Sequence, residues 1–127
     1  MMVAGFGYRK DVALDALEEA LALALSHCDI ERRQIDAIAA ASGKQDEAAV
    51  RAIAAELSVP LIPVNQDAMI QASGRTLSHS DRVMAEKAVP SVAETVALAA
   101  AGPASKLLGP KVSSRSASCA IAIGGGS

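Results

Sequence analysis

The stretch Ala41-Ser42-Gly43-Lys44-Gln45-Asp46-Glu47 joins an apolar run, residues 35–41, to a segment whose apolar residues recur at helical spacing. This order predicts a strand, a tight turn and the start of a helix. Ser42 and Gln45 match the S-x-x-Q pattern of a capping box, in which each side chain bonds a free amide of the other's backbone. In open α/β sheets such a turn lies at the carboxyl edge of the strands, where ligands bind.

Lys44 falls in the predicted first turn of that helix, where the helix dipole disfavours a cation by roughly 0.3–1 kcal/mol. Local departures of this kind tend to mark functional positions. The alternative is that Asp46 and Glu47 offset the charge and Lys44 points into water. The stretch alone leaves both interpretations open.

Composition limits the classes of protein to which this chain can belong. Its 127 residues predict a single domain, and 51% hydrophobic residues are enough for a sizeable core. Phe6 and Tyr8 are the only aromatic residues, which argues against binding to single-stranded nucleic acid by base stacking. A net charge of −2 argues against general polyanion binding but leaves room for a local cationic pocket.

The sequence contains no basic segment followed by a long apolar run near Met1 and no stretch of 18 apolar residues, so we expect a cytoplasmic protein without a membrane partner. Cys28 and Cys119 are far apart and lack metal-ligand spacing. We therefore expect two reduced, mostly buried thiols, no structural zinc and no cofactor.

Strands and helices alternate along the first half of the chain. Strands are predicted at residues 3–8, 35–41 and 61–64, and Pro60 and Pro63 place the third at an edge or make it short. Helices are predicted from about residue 14 to 28, with Asp11 as a possible N-cap, and from about 45 to 58.

The second half is less regular. A short helix is predicted at 66–72, a loop at 73–76, a helix from about 80 to 87, and another after the second capping box, Ser91-x-x-Glu94. Strands at 106–112 and 117–123 are predicted to close the sheet as a hairpin, with a flexible tail from about residue 124. The fold class is therefore α/β: a single three-layer α/β/α domain, residues 1–127, with a mixed sheet of about five strands.

Cations follow the first two predicted strands. If these strands are parallel neighbours, Arg9, Lys10 and Lys44 converge on one rim together with the amides of two helix N-termini, an arrangement that attracts carboxylates or phosphates. The alternative is an ordinary solvated surface. Gly5-x-Gly7 lacks the third glycine of a dinucleotide-binding motif, so these glycines serve either close approach of a ligand or close packing of strand on helix.

The remaining polar residues form no recognisable catalytic set. Ser91 and Glu94 are explained by the capping box. His27 lies at the predicted C-terminal end of a helix, where a positive charge interacts favourably with the helix dipole. His27 and His79 are too far apart in sequence to suggest a metal site. From the residues themselves, the sequence predicts only an α/β domain suited to an anion.

Four motifs in register carry a resemblance that spans nearly the whole chain: Gly5-x-Gly7-x-Arg9-Lys10, Gly43-Lys44-x-Asp46-Glu47, Val89-Pro90-Ser91-Val92-Ala93-Glu94 and Leu107-Leu108-x-Pro110-Lys111. Together they resemble the CobE family, which is similar to the C-terminal domain of the cobalamin-biosynthesis protein CbiG. Tyr8 and Pro90 stand where the family often has a small residue or cysteine and a glycine. Both of these positions belong to the predicted rim, so both differences affect its shape.

The resemblance implies a role in building the corrin ring, with a precorrin or corrinoid intermediate as ligand. These macrocycles are fringed with carboxylates, which cations and helix N-termini bind through charge-assisted hydrogen bonds. The expected ligand-binding residues are Gly5, Gly7, Arg9, Lys44, Ser91 and Lys111. Glu47 and Glu94 are candidates for orienting the cations or for acid/base catalysis.

Three functions follow from this resemblance. The first is a carrier or accessory protein for the intermediate, without a reaction of its own. The second is a ring-modifying enzyme, such as the lactone-opening hydrolase that CbiG is. The third is a module that docks to another cobalamin-pathway enzyme.

Overall fold

The computed structural model describes residues 1–8, 12–42, 48–72, 92–102, 104–114 and 117–124. Of the residues singled out in the sequence, Arg9, Lys10, Asp11, residues 43–47, His79 and Ser91 lie outside these ranges. The predicted loop at 73–76 and helix at 80–87 lie outside them as well.

Helices and strands alternate in the described chain as the apolar spacing predicts. The helices are α1 (Leu14–Cys28), α2 (Ala48–Leu57), α3 (Gln66–Ala72) and α4 (Val92–Ala101), with a 3-10 turn at Arg32–Gln34. The strands are β1 (Met2–Tyr8), β2 (Ala37–Ala41), β3 (Leu61–Val64), β4 (Lys106–Leu107), β5 (Val112–Ser113) and β6 (Ala117–Ile123).

Within the described ranges these strands form one six-stranded mixed sheet, in the order β3-β2-β1-β6-β4, with β5 also paired to β6. β1, β2 and β3 are parallel, and β6 is antiparallel to β1. β3 lies at the edge and has four residues, in agreement with both alternatives predicted from Pro60 and Pro63, because proline cannot donate to a sheet ladder.

The helices cover both faces of the sheet. On one face, Phe6 and its alternate neighbours in β1 pack with Leu17 and Leu21 of α1 and with Ile53 of α2. On the other face, Val3 packs with Met69 of α3 and Val96 of α4. The predicted three-layer α/β/α class is therefore confirmed, and the core is built from small aliphatic side chains.

The closing strands differ from the prediction. The sequence predicts one strand over 106–112, but the structure has two short strands, β4 and β5, both antiparallel to β6. Leu107 pairs with Ala122 and Val112 with Cys119, so four residues of one chain segment, 108–111, lie opposite two of β6. Gly109 and Pro110 occupy this break, which explains the sixth strand because proline removes a ladder donor.

Two element boundaries also differ. α1 is preceded by Ala13 as N-cap residue, without a side-chain cap, so the prediction of Asp11 as its N-cap is wrong. β2 begins at Ala37 rather than at residue 35. At the end of the sheet, the Gly124 amide donates to the Met1 carbonyl at 2.7 Å, and residues 125–127 lie outside the described ranges.

Both cysteines carry free thiols, as predicted. Cys119 is fully buried, and burial, with a smaller contribution from Cys28, raises the pKa of its thiol well above the ordinary value. Burial also raises the pKa of Cys28. Neither thiol is therefore activated as a nucleophile. No helix in the described part of the chain is long and apolar enough to cross a membrane.

Candidate functional site

The carboxyl edge of the sheet is where the predicted ligand-binding segments leave the strands. β1 pairs with β2 in parallel, with Val3 opposite Ala37 and Gly5 opposite Ala39, so the two strands end side by side. Arg9 follows the last residue of β1 directly in the sequence, and Lys44 follows the last residue of β2 by three positions. The condition on which the predicted rim depends, two parallel neighbouring strands, is met.

Helix α4 begins at this same edge. Its first residues, Val92 and Ala93, face Gly7 near the carboxyl end of β1, whereas the Ala101 carbonyl at its other end faces Gly124. Helices α1 and α2 connect β1 to β2 and β2 to β3, so both run back across the sheet from the same edge, and α3 begins there after β3. The positive ends of the helix dipoles therefore share one edge of the molecule.

Gly5 lies buried beneath α4. A Cβ atom at Gly5 would clash with the Ala93 carbonyl oxygen and would lie 2.7 Å from the Ala97 nitrogen. Of the two explanations that the sequence left open for this glycine, close packing of a strand on a helix accounts for its position.

Gly7 lies nearer the edge and is less enclosed. A Cβ atom there would lie 2.9 Å from the Ser118 hydroxyl and 3.5 Å from the Ala93 nitrogen. The first turn of α4 thus rests on Gly7, and Ser91 directly precedes that turn in the sequence.

Glu94 is the unexpected member of the site. It lies in the first turn of α4 and its side chain has no exposed surface at all. Its Oε2 atom accepts a hydrogen bond of 2.8 Å from the backbone amide of Lys111. The capping-box prediction concerned a bond within its own helix, and Ser91 lies outside the described residues; the bond from Lys111 joins Glu94 to a segment 17 residues further along the chain.

Lys111 is exposed and stands just before β5. Val112 pairs with Cys119, which in turn pairs with Phe6 of β1, so Lys111 lies beside the half of the sheet that contains the carboxyl edge. The structure therefore gathers four predicted site residues, Gly5, Gly7, Glu94 and Lys111, around the first half of α4. Arg9, Lys44, Glu47 and Ser91 remain predictions, since they lie outside the described residues.

The burial of Glu94 is the feature that sequence reasoning missed, although a signal was present. Glu94 is the only charged residue between Val92 and Ala101. A helix that is apolar on all sides is a buried helix, so its single carboxylate is expected to be buried and bonded as well. In the part of the chain that the structure describes, no group of three or more His, Cys, Asp or Glu residues is placed to hold a metal ion.

Comparison with known proteins identifies the domain. The family model described as "Cobalamin synthesis G C-terminus" matches residues 2–122. The chain belongs to this family. The resemblance that the four motifs suggested is thus confirmed, and the protein is one of the cobalamin biosynthesis pathway.

Solved structures agree with membership of the cobalamin synthesis G C-terminus family. CobE, a protein from the cobalamin biosynthetic pathway, is 32% identical over 96% of this chain and 89% of its own, with a TM-score of 0.85. The cobalamin biosynthesis protein chiG from Agrobacterium tumefaciens str. C58 is also 32% identical, over 99% of this chain and all of its own, with a TM-score of 0.78.

A longer protein contains the same domain. A protein described as a cobalamin biosynthesis protein G homolog from Sulfolobus solfataricus is 25% identical over 98% of this chain, with a TM-score of 0.70. The match covers only 37% of that protein's chain. No curated protein matches the sequence significantly.

Proposed function

We propose that this protein binds a polycarboxylate precorrin or corrinoid intermediate of cobalamin biosynthesis at the carboxyl edge of its sheet, as a carrier or accessory factor. The observation that supports this most is the parallel pairing of β1 with β2, because the segments carrying Arg9 and Lys44 then follow adjacent strand ends. Membership of a cobalamin-synthesis family supports a corrinoid as the class of ligand.

The chemistry of the edge fits that ligand. Acetate and propionate groups around a macrocycle present several carboxylates, each of which favours a cation or a helix N-terminus. Among the described residues, Lys111 is an exposed cation next to the first turn of α4, since its amide bonds Glu94 in that turn. Gly7 lies beneath that turn and lets it approach the end of β1 closely, because a Cβ atom there would lie 2.9 Å from the Ser118 hydroxyl.

A carrier fits the described residues better than a hydrolase does. Glu94, the described candidate for acid/base catalysis, has no exposed surface and bonds a backbone amide, so it is not presented to a ligand. Glu47 remains a candidate by sequence.

An absorbance titration with hydrogenobyrinic acid, its cobalt form and earlier precorrins tests this proposal. We expect a saturable spectral shift that is weakened in Lys111→Ala and Lys44→Ala by about 1.5–3 kcal/mol for each contact that is buried in the complex. The same samples are then assayed for conversion of a lactone-bearing precorrin, which separates carrier from enzyme.

Lys106→Ala is the matched control for Lys111→Ala. Lys106 is also exposed and its removal changes the net charge equally, but it pairs with Ile123, which lies opposite Met2 at the other end of β1. Its replacement should leave the titration unchanged. If no corrinoid shifts the spectrum, the proposal is wrong and a docking module for another pathway enzyme becomes the leading function.

A further inference from the structure

The backbone between β4 and β5 is bonded by the carboxylate of Glu94, which lies in helix α4. Residues 108–111 leave the regular ladder with β6, so their backbone cannot be positioned by strand pairing alone. Leu108 still donates its amide to Ile121, at 2.9 Å. At the other end of the break, the Lys111 amide donates to Glu94 Oε2 at 2.8 Å.

The cost of burying Glu94 makes this contact informative. A carboxylate without exposed surface is unfavourable unless its oxygens are bonded, and apolar helices do not need one for packing. Glu94 lies in the first turn of α4, where the helix dipole favours a negative charge. The dipole explains why a carboxylate is tolerated there. It does not explain why the side chain reaches across to residue 111.

We infer that Glu94 is a positioning residue, whose buried carboxylate fixes the backbone of residues 108–111 and thereby sets where the Lys111 ammonium meets an anionic ligand. This inference rests on the proposed function and names a role within the same site. Lys111 itself is exposed and flexible in side chain, so the placement of its Cα atom decides which ligand carboxylate it can reach.

A positioning role needs a hydrogen-bond acceptor at this place, whereas acid/base catalysis or an ion pair needs a charge. Glu94→Gln keeps an acceptor oxygen for the Lys111 amide, and Glu94→Ala removes it. We expect Glu94→Gln to bind hydrogenobyrinic acid within about threefold of wild type and Glu94→Ala to bind about tenfold more weakly. Glu94→Ala should add little to Lys111→Ala in the double variant, because Glu94 acts through the ammonium that Lys111→Ala has already removed.

The hydrogen-exchange rate of the Lys111 amide measures local opening of this segment and so distinguishes it from a loss of stability elsewhere in the protein. That amide should be protected in wild type and in Glu94→Gln, and should exchange at least about tenfold faster in Glu94→Ala. Ser105→Ala is the control. It removes a buried hydroxyl that bonds the carbonyls of Leu98 and Gly102 near the far end of α4, and should leave affinity and Lys111 exchange unchanged.

The outcomes separate this inference from the proposed function. If wild type binds but Glu94→Gln loses as much affinity as Glu94→Ala, or if Lys111 exchange is unchanged in Glu94→Ala, the positioning role is wrong while corrinoid binding stands. If Glu94→Ala fails to fold, Glu94→Gln still decides between acceptor and charge. If wild type binds none of the corrinoids, the proposed function and this role in binding fall together.

Discussion

The two glycines of β1 pack against different kinds of atoms a short distance apart. Gly5 and Gly7 point to the same face of the sheet because side chains alternate along a strand. Helix α4 crosses Gly5 at backbone contact, whereas Gly7 meets chiefly the hydroxyl of Ser118. Both glycines therefore serve close packing, but Gly5 faces backbone atoms that cannot move, whereas Gly7 faces a side chain that can.

Replacing each glycine with alanine tests this difference. Gly5→Ala should lower the free energy of unfolding by about 1–3 kcal/mol or more, because backbone atoms of Ala93 and Ala97 cannot move away. Gly7→Ala should change it by less than about 1 kcal/mol, since the Ser118 hydroxyl can rotate and alanine reduces the entropy of the unfolded chain. Urea unfolding of both variants measures the difference. Equal losses of stability would contradict the packing argument for Gly5.

Glu94 makes a contact that a local sequence motif could not predict. The pattern Ser91-x-x-Glu94 matches a capping box, and that match gave no reason to look beyond the helix. Local patterns describe contacts within a few residues, whereas the Lys111 amide is brought to Glu94 by the sheet. The usable signal was the apolar sequence on every side of Glu94, because it predicts a buried helix in which any charge needs a partner.

At the scale of elements, periodicity and proline predicted most of the sheet. β3 and α3 begin and end where the sequence predicts, and β3 takes the edge position that Pro60 and Pro63 favour. The split of the penultimate strand was missed, since residues 106–112 have strand-like apolar spacing and the effect of Gly109-Pro110 depends on the register with β6. Register is a property of two segments together, which one segment's pattern does not contain.

Helix α3 provides a prediction at this scale. Its seven residues are too few for a helix to be stable alone, and the Asn65 side chain caps it by accepting a 2.8 Å bond from the Ala68 amide. Asn65→Ala should therefore lower the free energy of unfolding by about 0.5–2 kcal/mol, measured by urea titration. Asn65→Ser keeps an acceptor and is the control. The cap has no role in stability if the two variants unfold at the same urea concentration.

For the molecule as a whole, the placement of charge matters more than its sum. The chain carries a net charge of −2, which at long range disfavours a polyanion. The helices nevertheless begin at one edge of the sheet, and Lys111 stands beside α4 there. An acidic protein can thus offer one favourable edge to a polycarboxylate while the rest of its surface repels other polyanions.

This separation of local and net charge predicts how corrinoid binding responds to salt. Salt screens exposed charges over about 10 Å at 0.1 M and about 3 Å at 1 M, so it weakens contacts between the exposed edge cations and ligand carboxylates. We expect the Kd for hydrogenobyrinic acid to rise at least about fivefold between about 0.05 and 1 M NaCl, as screening removes roughly 1 kcal/mol of ion pairing. Lys111→Ala should show a smaller rise because one screened contact is already gone, whereas Lys106→Ala should match wild type. An affinity independent of salt would mean that apolar contacts with the macrocycle dominate, and the cationic edge would then have no part in holding the ligand.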